Sequence, residues 1–389
     1  MDSLHTAFKS ENYRLQQLQD LRNGTIPIFE SIEMVPGSLL LEFKIKPAFH
    51  SAVQLDEIYR RDETQTIIYQ LTLPSVQLVM KVYCIPQNQL NPTNTDAANH
   101  QIEVRYLKLF TDMVQHLICP HFTLPVGHAI LNEKEMQQLF DTKIDKGSYM
   151  ILIGEWAEST FNRVLREGIS EEAIRGLIFQ TVLTLYIIHD VFPSFRHNDL
   201  HLSNVLVQTI EIKELLRLRR LNDKNRICVK YTVNGTKYYL DLENCPYRIL
   251  IWDMYYGSID SADAERHSLS LVVPTKKQLF CSADRSENRI CTNQYFDLHK
   301  FFDSLHYVIG LDKKRVISRE LTDLINLVVP DQLKCMSKGL THKDKTDMRL
   351  WEARHITPIE VLRQPYFDTF RRAPVSRTVV REYQHPRSI

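Results

Sequence analysis

Glycine is scarce in this chain of 389 residues, which has only 11. Few backbone positions can therefore approach a phosphate without a side chain in the way. Neither charge sign is in excess: 48 Lys+Arg face 47 Asp+Glu, for a net charge of +1. Nothing global then points to nucleic acid or a membrane surface, which usually draw a basic excess. The pair C-x-x-C never occurs. The seven cysteines, at 84, 119, 228, 245, 281, 291 and 335, are odd in number and widely spaced, as free thiols in a reducing compartment would be. His116, Cys119 and His121 cluster in HLICPH, but a metal site needs more ligands, and a structural turn is the better reading. The N-terminus, MDSLHTAFKSENYRLQQLQD, has no apolar core of a signal peptide. The most apolar stretch, Leu177–Phe192, is too short for a bilayer and carries Gln180, His189 and Asp190, so it predicts a buried core helix. No internal repeat or low-complexity segment is visible.

What is present suits a large folded enzyme. The length fits roughly two to three structural units, and 43% hydrophobic residues can fill a sizeable core. Residues 1–22 read as an amphipathic helix stopped by Asn23-Gly24. From Leu39 to Tyr83 the β signal dominates, through LLLEFKIK, TIIYQLTL and VQLVMKVY. Asn88–Asn99 reads as a loop and His100–Val114 as a helix. Phe122–Leu131 and Tyr149–Ile153 look like strands. Ser170–Asp190 predicts a long helix with Ser170 as its N-cap. Residues 209–226 read as a basic helix with Arg217, Arg219 and Arg220, best taken as a solvated face. Ile227–Leu242 predicts a hairpin, because Asn234-Gly235 suits a type I′ turn. Arg248–Trp252 is a strand ending at Asp253. Tyr295–Ile309 and Pro358–Phe370 read as helical, and an extended tail begins at Ala373.

One run carries chemistry. His197-Asn198-Asp199-Leu200-His201-Leu202-Ser203-Asn204 reads H-x-D-L-x-x-x-N, with the apolar strand Val205-Leu206-Val207 behind it. Asp199 can accept a proton from a hydroxyl, and the Asn204 oxygen can hold a divalent cation near phosphates. An Asp/Asn-rich turn is the bland alternative; the spacing and the following strand favour function. His197 suits a role holding the loop backbone. His201 either works near a phosphate or shapes the loop. Lys81, in the strand LVMKVY, can pair with α/β-phosphates, and Glu103 on the next helix can hold Lys81 in place. Asp253, ending RILIWD, can chelate the metal; Asp241 and Glu243 in YYLDLEN compete for that role.

With these residues in order, the chain resembles eukaryotic-type protein kinases, over about residues 40–370. YMILIGEWAEST is similar to the last strand of the small lobe and the hinge. There the resemblance puts Gly154 at the gatekeeper position and Glu155, Trp156 and Ala157 against adenine through backbone groups. YFDLHKFFDSL resembles the helix whose Asp, here Asp297, braces the catalytic loop; TPIEVLRQPYF resembles the closing helix. Within the superfamily, HNDLHLSNVLV, the YTVNG hairpin and Asp253-Met254-Tyr255 look most like the haspin branch and the serine/threonine kinases of large DNA viruses.

The resemblance implies an α+β, two-lobed protein-kinase-like fold. It has an N-terminal helical extension (1–38), a small β-rich N-lobe (39–154), a larger mainly helical C-lobe (155–372) with an insertion at 209–247, and a tail (373–389). It implies ATP, bound between the lobes, and Mg²⁺ or Mn²⁺, with the γ-phosphate going to Ser/Thr of a protein substrate. Asp199 would be the base, with Lys81, Glu103 and His201 in support and Asn204 and Asp253 on the metal. No membrane or direct nucleic-acid partner is expected. The location would be intracellular, cytoplasmic or nuclear, in a host cell or virion if viral. One departure stands out: the segment where a glycine-rich loop belongs, Lys46–Val53, KPAFHSAV, has no glycine. A pseudokinase scaffold and a small-molecule kinase of the aminoglycoside or choline kinase type are the alternatives.

Overall fold

Alternating and β-branched segments between residues 29 and 155 pair into one seven-stranded sheet in this computed structural model. The structure describes residues 14, 29–34, 41–45, 54–61, 66–73, 77–86, 95–140, 147–210, 226–259, 295–312, 315–331, 334, 356–372 and 377–385. The chain divides into two units. One spans Lys9–Gln115 and Thr123–Trp156; the other takes Met1–Phe8, His116–Phe122 and Ala157–Ile389. The fold is mixed α+β.

The first unit holds β1 (Phe29–Met34), β2 (Leu41–Ile45), β3 (Gln54–Arg61), β4 (Thr66–Thr72), β5 (Gln77–Pro86), helix α1 (Thr95–Gln115), β6 (Pro125–Asn132), α2 (Glu133–Phe140) and β7 (Gly147–Glu155). The sheet order is β1-β2-β6-β7-β5-β4-β3. All neighbours are antiparallel except β2 and β6. Buried Met80 and Val82 of β5 and Ile151 and Ile153 of β7 lie in its centre. On α1, Tyr106, Phe110, Met113 and Val114 recur at helical spacing and are buried.

Two expectations shift here, and one helix is new. Phe29–Met34, within the expected helical extension, is a strand paired antiparallel with β2. Helix α1 begins at Thr95, inside the expected loop, where Ala97-Ala98 favour helix. Helix α2 was not foreseen, although Asn132 and Glu135 carry its signal. The Glu135 amide donates to Asn132 Oδ1 at 3.1 Å and the Asn132 amide to Glu135 Oε2 at 2.8 Å, a reciprocal cap. The expected helix over 1–22, apart from Arg14, and Lys46–Val53 lie outside the described residues.

The second unit contains β8 (Ser159–Thr160), α3 (Phe161–Glu167), α4 (Glu171–Val191), β9 (Val205–Thr209), β10 (Arg226–Val233), β11 (Thr236–Asp241), β12 (Tyr247–Ile251), α5 (Tyr295–Leu311), α6 (Arg319–Val328), α7 (Pro358–Leu362), α8 (Asp368–Arg371) and β13 (Arg377–His385). Helix α4 starts as expected: Ser170 Oγ accepts from the Ala173 amide at 3.2 Å, with Glu171 and Glu172 in the first turn. It is long and apolar enough to cross a membrane by composition, yet its apolar run is buried in this unit, where it serves as a core helix.

Strand β9 lies between β8 and β12 in a three-stranded sheet. Strands β10 and β11 form the expected hairpin, turning through Asn234 (φ 48°) and Gly235 (φ 78°), the paired positive values a type I′ turn needs. The tail is more than extended chain: β13 adds to β10 in parallel, Tyr231 and Tyr383 stack with centroids 5.3 Å apart, and His385 Nε2 meets Asp190 Oδ2 at 2.6 Å. The expected basic helix with Arg217, Arg219 and Arg220 lies outside the described residues. Among the described residues Cys84, Cys119, Cys228 and Cys245 form no disulfide.

Candidate active site

In the first unit, β5 and α1 bring Lys81 and Glu103 together. Lys81 Nζ lies 3.1 and 3.3 Å from the two carboxylate oxygens, and both side chains are almost fully buried, 6% and 2% exposed. Two residues along β5, on the same face, the Tyr83 hydroxyl donates to Glu103 Oε2, and its ring centroid lies 4.8 Å from the ammonium. Burying a lysine without a counter-charge would be costly, so this pairing is what permits an ammonium there.

At the end of β7, Glu155 is heavily engaged. Its amide donates to the Leu124 carbonyl at 2.9 Å. Its carboxylate accepts from Arg14 Nε and Nη2 at 2.7 and 2.6 Å, and from the Leu124 amide at 3.3 Å. The chain leaves this unit between Trp156 and Ala157. Gly154 sits opposite Val79; a Cβ there would lie 3.4 Å from the Leu124 carbonyl and 3.8 Å from Val79 Cγ1, so the position tolerates contact but little bulk.

In the second unit the run 196–204 is a loop closed by a short 3₁₀ turn, Leu202–Asn204. Asn198 adopts the left-handed region, φ 64°. Its amide side chain is fixed by the Tyr256 carbonyl at 2.7 Å and Ser258 Oγ at 2.9 Å. His197 is buried, and both of its ring nitrogens hold backbone: Nε2 faces the Trp252 carbonyl at 2.8 Å, while Nδ1 accepts from the Asp199 amide at 3.3 Å. That pattern fits the Nε2–H tautomer. The structure places His197 as the expected loop holder.

Asn204 Nδ2 donates to the Asp199 carbonyl at 2.9 Å, and the Asn204 carbonyl accepts from the Trp252 amide at 3.3 Å. Asp199, Asn204 and the end of β12 are therefore neighbours. Fixing Nδ2 on a carbonyl turns the Asn204 oxygen the other way, as an oxygen ligand for a hard cation requires. Asp253, next after Trp252, has φ 64° and ψ 58° and starts a second 3₁₀ turn without using its side chain as a cap. A non-glycine residue held there costs on the order of 1–3 kcal/mol, the kind of strain that collects at working sites. Beyond the turn, Arg196 and Ser258 exchange two backbone hydrogen bonds, each 2.8 Å, which tie the strained segment to the loop. Asp241, the competitor, accepts from the Glu243 amide at 2.9 Å and from Arg226 at 3.3 Å, closing the hairpin exit; Glu243 is exposed. Among the described residues no group of three His, Cys, Asp or Glu could hold a metal ion, the HLICPH cluster included. A cation on Asn204 and Asp253 would need further oxygens, such as those of phosphates.

Helix α5 reaches the loop with three residues on one stripe. Asp297 Oδ2 and Oδ1 accept from the amides of His197 and Asn198 at 2.6 and 2.9 Å. Ser304 Oγ accepts from the Leu202 amide at 3.2 Å. Between them, Lys300 Nζ lies 2.5 Å from Asp199 Oδ1 and 3.1 Å from the Asn198 carbonyl. The spacing i, i+3, i+7 puts all three on one helix face.

Burial pushes the Asp199 carboxyl up, but neighbouring His201 and Lys300 outweigh it and hold the group well below the usual carboxylate range. Asp199 is thus ionised at neutral pH. Lys300 is in direct contact, whereas His201 Nε2 stands 3.7 Å from Asp199 Oδ2. The other His201 nitrogen, Nδ1, accepts from the Ser203 amide at 3.2 Å, so this side chain shapes the loop. Lys300 and Ser304 escaped the sequence reading. Their signal was their spacing from Asp297 on one helix.

No protein-family model matches the chain. The chain is similar to a protein of Acanthamoeba polyphaga mimivirus named "Putative serine/threonine-protein kinase", with 24% identity over 334 residues, 76% of this chain. The chain spans 65% of that relative's length. This distant similarity supports a kinase activity in general.

Proposed function

We propose that the chain is an ATP-dependent protein kinase that phosphorylates Ser/Thr hydroxyls. The observation that carries this reading is the loop 197–204: an ionised Asp199 beside an Asn204 whose amide is turned by the Asp199 carbonyl, in a loop whose backbone is held by Asp297 at His197 and Asn198 and by His197 at Asp199. The buried Lys81–Glu103 pair supports it independently. The two units would correspond to the small and large lobes of a kinase-like fold, with the larger carrying the hairpin insertion, in the manner of haspin-like kinases.

Asp199 would orient the acceptor hydroxyl and take its proton. Lys81, positioned by Glu103, would hold the α/β-phosphates. Asn204 Oδ1 and Asp253 would hold Mg²⁺ or Mn²⁺, which when bound neutralises charge on the transferring phosphate. Adenine would meet backbone groups of the segment Glu155–Ala157 other than the Glu155 amide, which is committed to Leu124. The partners would be ATP and a protein substrate inside a cell.

The test is transfer of γ-labelled phosphate from ATP, with Mg²⁺ or Mn²⁺, to a panel of proteins and aminoglycosides. Label should appear on protein and vanish with Asp199→Asn, which should still fold and bind ATP. Label only on the small molecules would move the chain to the rival kinase class. A folded chain that neither transfers phosphate nor binds ATP would refute the reading in favour of a scaffold without chemistry.

A further inference from the structure

Among the described residues the Lys300–Asp199 contact is the shortest polar contact to the Asp199 carboxylate, and neither the motif nor the resemblance accounts for it. Lys300 comes from a separate helix, 101 residues along the chain from Asp199. Its two neighbours on the stripe, Asp297 and Ser304, meet the loop at its backbone amides. Lys300 alone reaches a side chain that would touch the reacting hydroxyl. It also grips the Asn198 carbonyl at 3.1 Å, so its ammonium is anchored from two directions.

His201 cannot supply this contact. Its Nδ1 accepts from the Ser203 amide at 3.2 Å, which fixes the ring, and its Nε2 is 3.7 Å from Asp199, beyond hydrogen-bond reach. Lys300 Nζ lies 2.5 Å from Oδ1, a charge-assisted bond, whereas Asn204 Nδ2 stands 3.5 Å from Oδ2, at the outer limit of a hydrogen bond. A carboxylate held through Oδ1 cannot rotate freely, and its second oxygen keeps one direction. The bland reading is a stabilising ion pair. Both side chains are about a fifth exposed, at 20% and 24%, and partly solvated pairs of this kind add little to stability.

We propose that Lys300 is a positioning residue of phosphoryl transfer: it fixes Asp199 through Oδ1 so that Oδ2 faces the acceptor hydroxyl, the task His201 leaves undone. This rests on the kinase reading above. It also predicts that a cation at position 300 matters to turnover and not to nucleotide binding.

The experiment uses the full chain and compares wild type, Lys300→Met, Lys300→Arg and Asp199→Asn in kcat, KM for ATP and melting temperature. Lys300→Met should lower kcat about 10- to 100-fold while KM for ATP stays within about twofold and the melting temperature holds. Lys300→Arg keeps a donor fork for the carboxylate and should recover most of the loss. A Lys300→Met kcat equal to or above wild type, with Asp199→Asn inactive, would overturn the inference and leave the kinase reading standing. So would a loss confined to melting temperature, or one that Lys300→Arg shares in full. An inactive wild type that does not bind ATP would remove the kinase reading and this inference with it.

Discussion

Asp297 should be the residue whose loss most damages the loop, and its two neutral replacements should differ. It is fully buried, and its carboxylate accepts from two consecutive loop amides at 2.6 and 2.9 Å. Burial pushes its carboxyl up, and the opposing pull of His197, Arg196 and the two amide bonds does not cancel that. The charge as such is therefore no net gain, and the value of Asp297 lies in its shape. Asp297→Asn keeps that shape but offers one acceptor and turns an NH₂ towards the other amide. One buried N–H then lacks its partner, at about 1–3 kcal/mol. Asp297→Ala orphans both amides and leaves a void, about 3–5 kcal/mol. Chemical denaturation followed by fluorescence would rank wild type above Asn above Ala, and both variants should lose phosphate transfer in that order. Equal stability of all three proteins, or an Asn variant weaker than Ala, would refute the idea that two amide bonds hold the loop.

Other expectations are independent of that one. Burial pulls His189 down from its ordinary 6.5 to about 4, although its bond to the Phe195 carbonyl pulls the other way. The unfolded chain therefore binds this proton first, and stability, complete above pH ~7, should fall as pH drops from 6.5 towards 4, by about 3 kcal/mol; His189→Gln should flatten that part of the stability–pH curve, and an unchanged slope would contradict the assignment. Lys81→Met leaves Glu103 buried without its cation, which should cost about 3–5 kcal/mol and raise KM for ATP; adding Glu103→Leu should restore the melting temperature but not the KM. Truncation before Arg377 removes β13, uncovers the long edge of β10 and breaks the His385–Asp190 contact. A lower melting temperature and aggregation on warming are expected, and an unchanged melt would show that the tail strand contributes nothing.

How legible each element was depended on how local its cause is. The cap at Ser170, the hairpin turn at Asn234-Gly235 and the run 197–204 each state their structure within a few residues, through a side-chain cap, two positive φ angles and a fixed spacing. The cause of helix α2 is just as local, a reciprocal cap between Asn132 and Glu135, although its short length leaves only a weak periodic signal. The pairing of Lys81 with Glu103, 22 residues apart, could be anticipated only because a strand and the next helix commonly pack together.

The sequence by itself determined which residue types stand in the loop, most segments that are helix or strand, and that Lys81, Glu103, Asp199, Asn204 and Asp253 occur in a kinase-like order. Tertiary structure decided who meets whom over long separations. Glu155 is engaged by Arg14 across 141 positions, Lys300 reaches Asp199 across 101, and Cys228 of β10 meets the carbonyl of Thr378 in β13 across 150. Periodicity and turn chemistry act over a few residues and leave a readable pattern. A contact across a hundred residues depends on which apolar faces bury together, and that choice leaves no local mark on either partner.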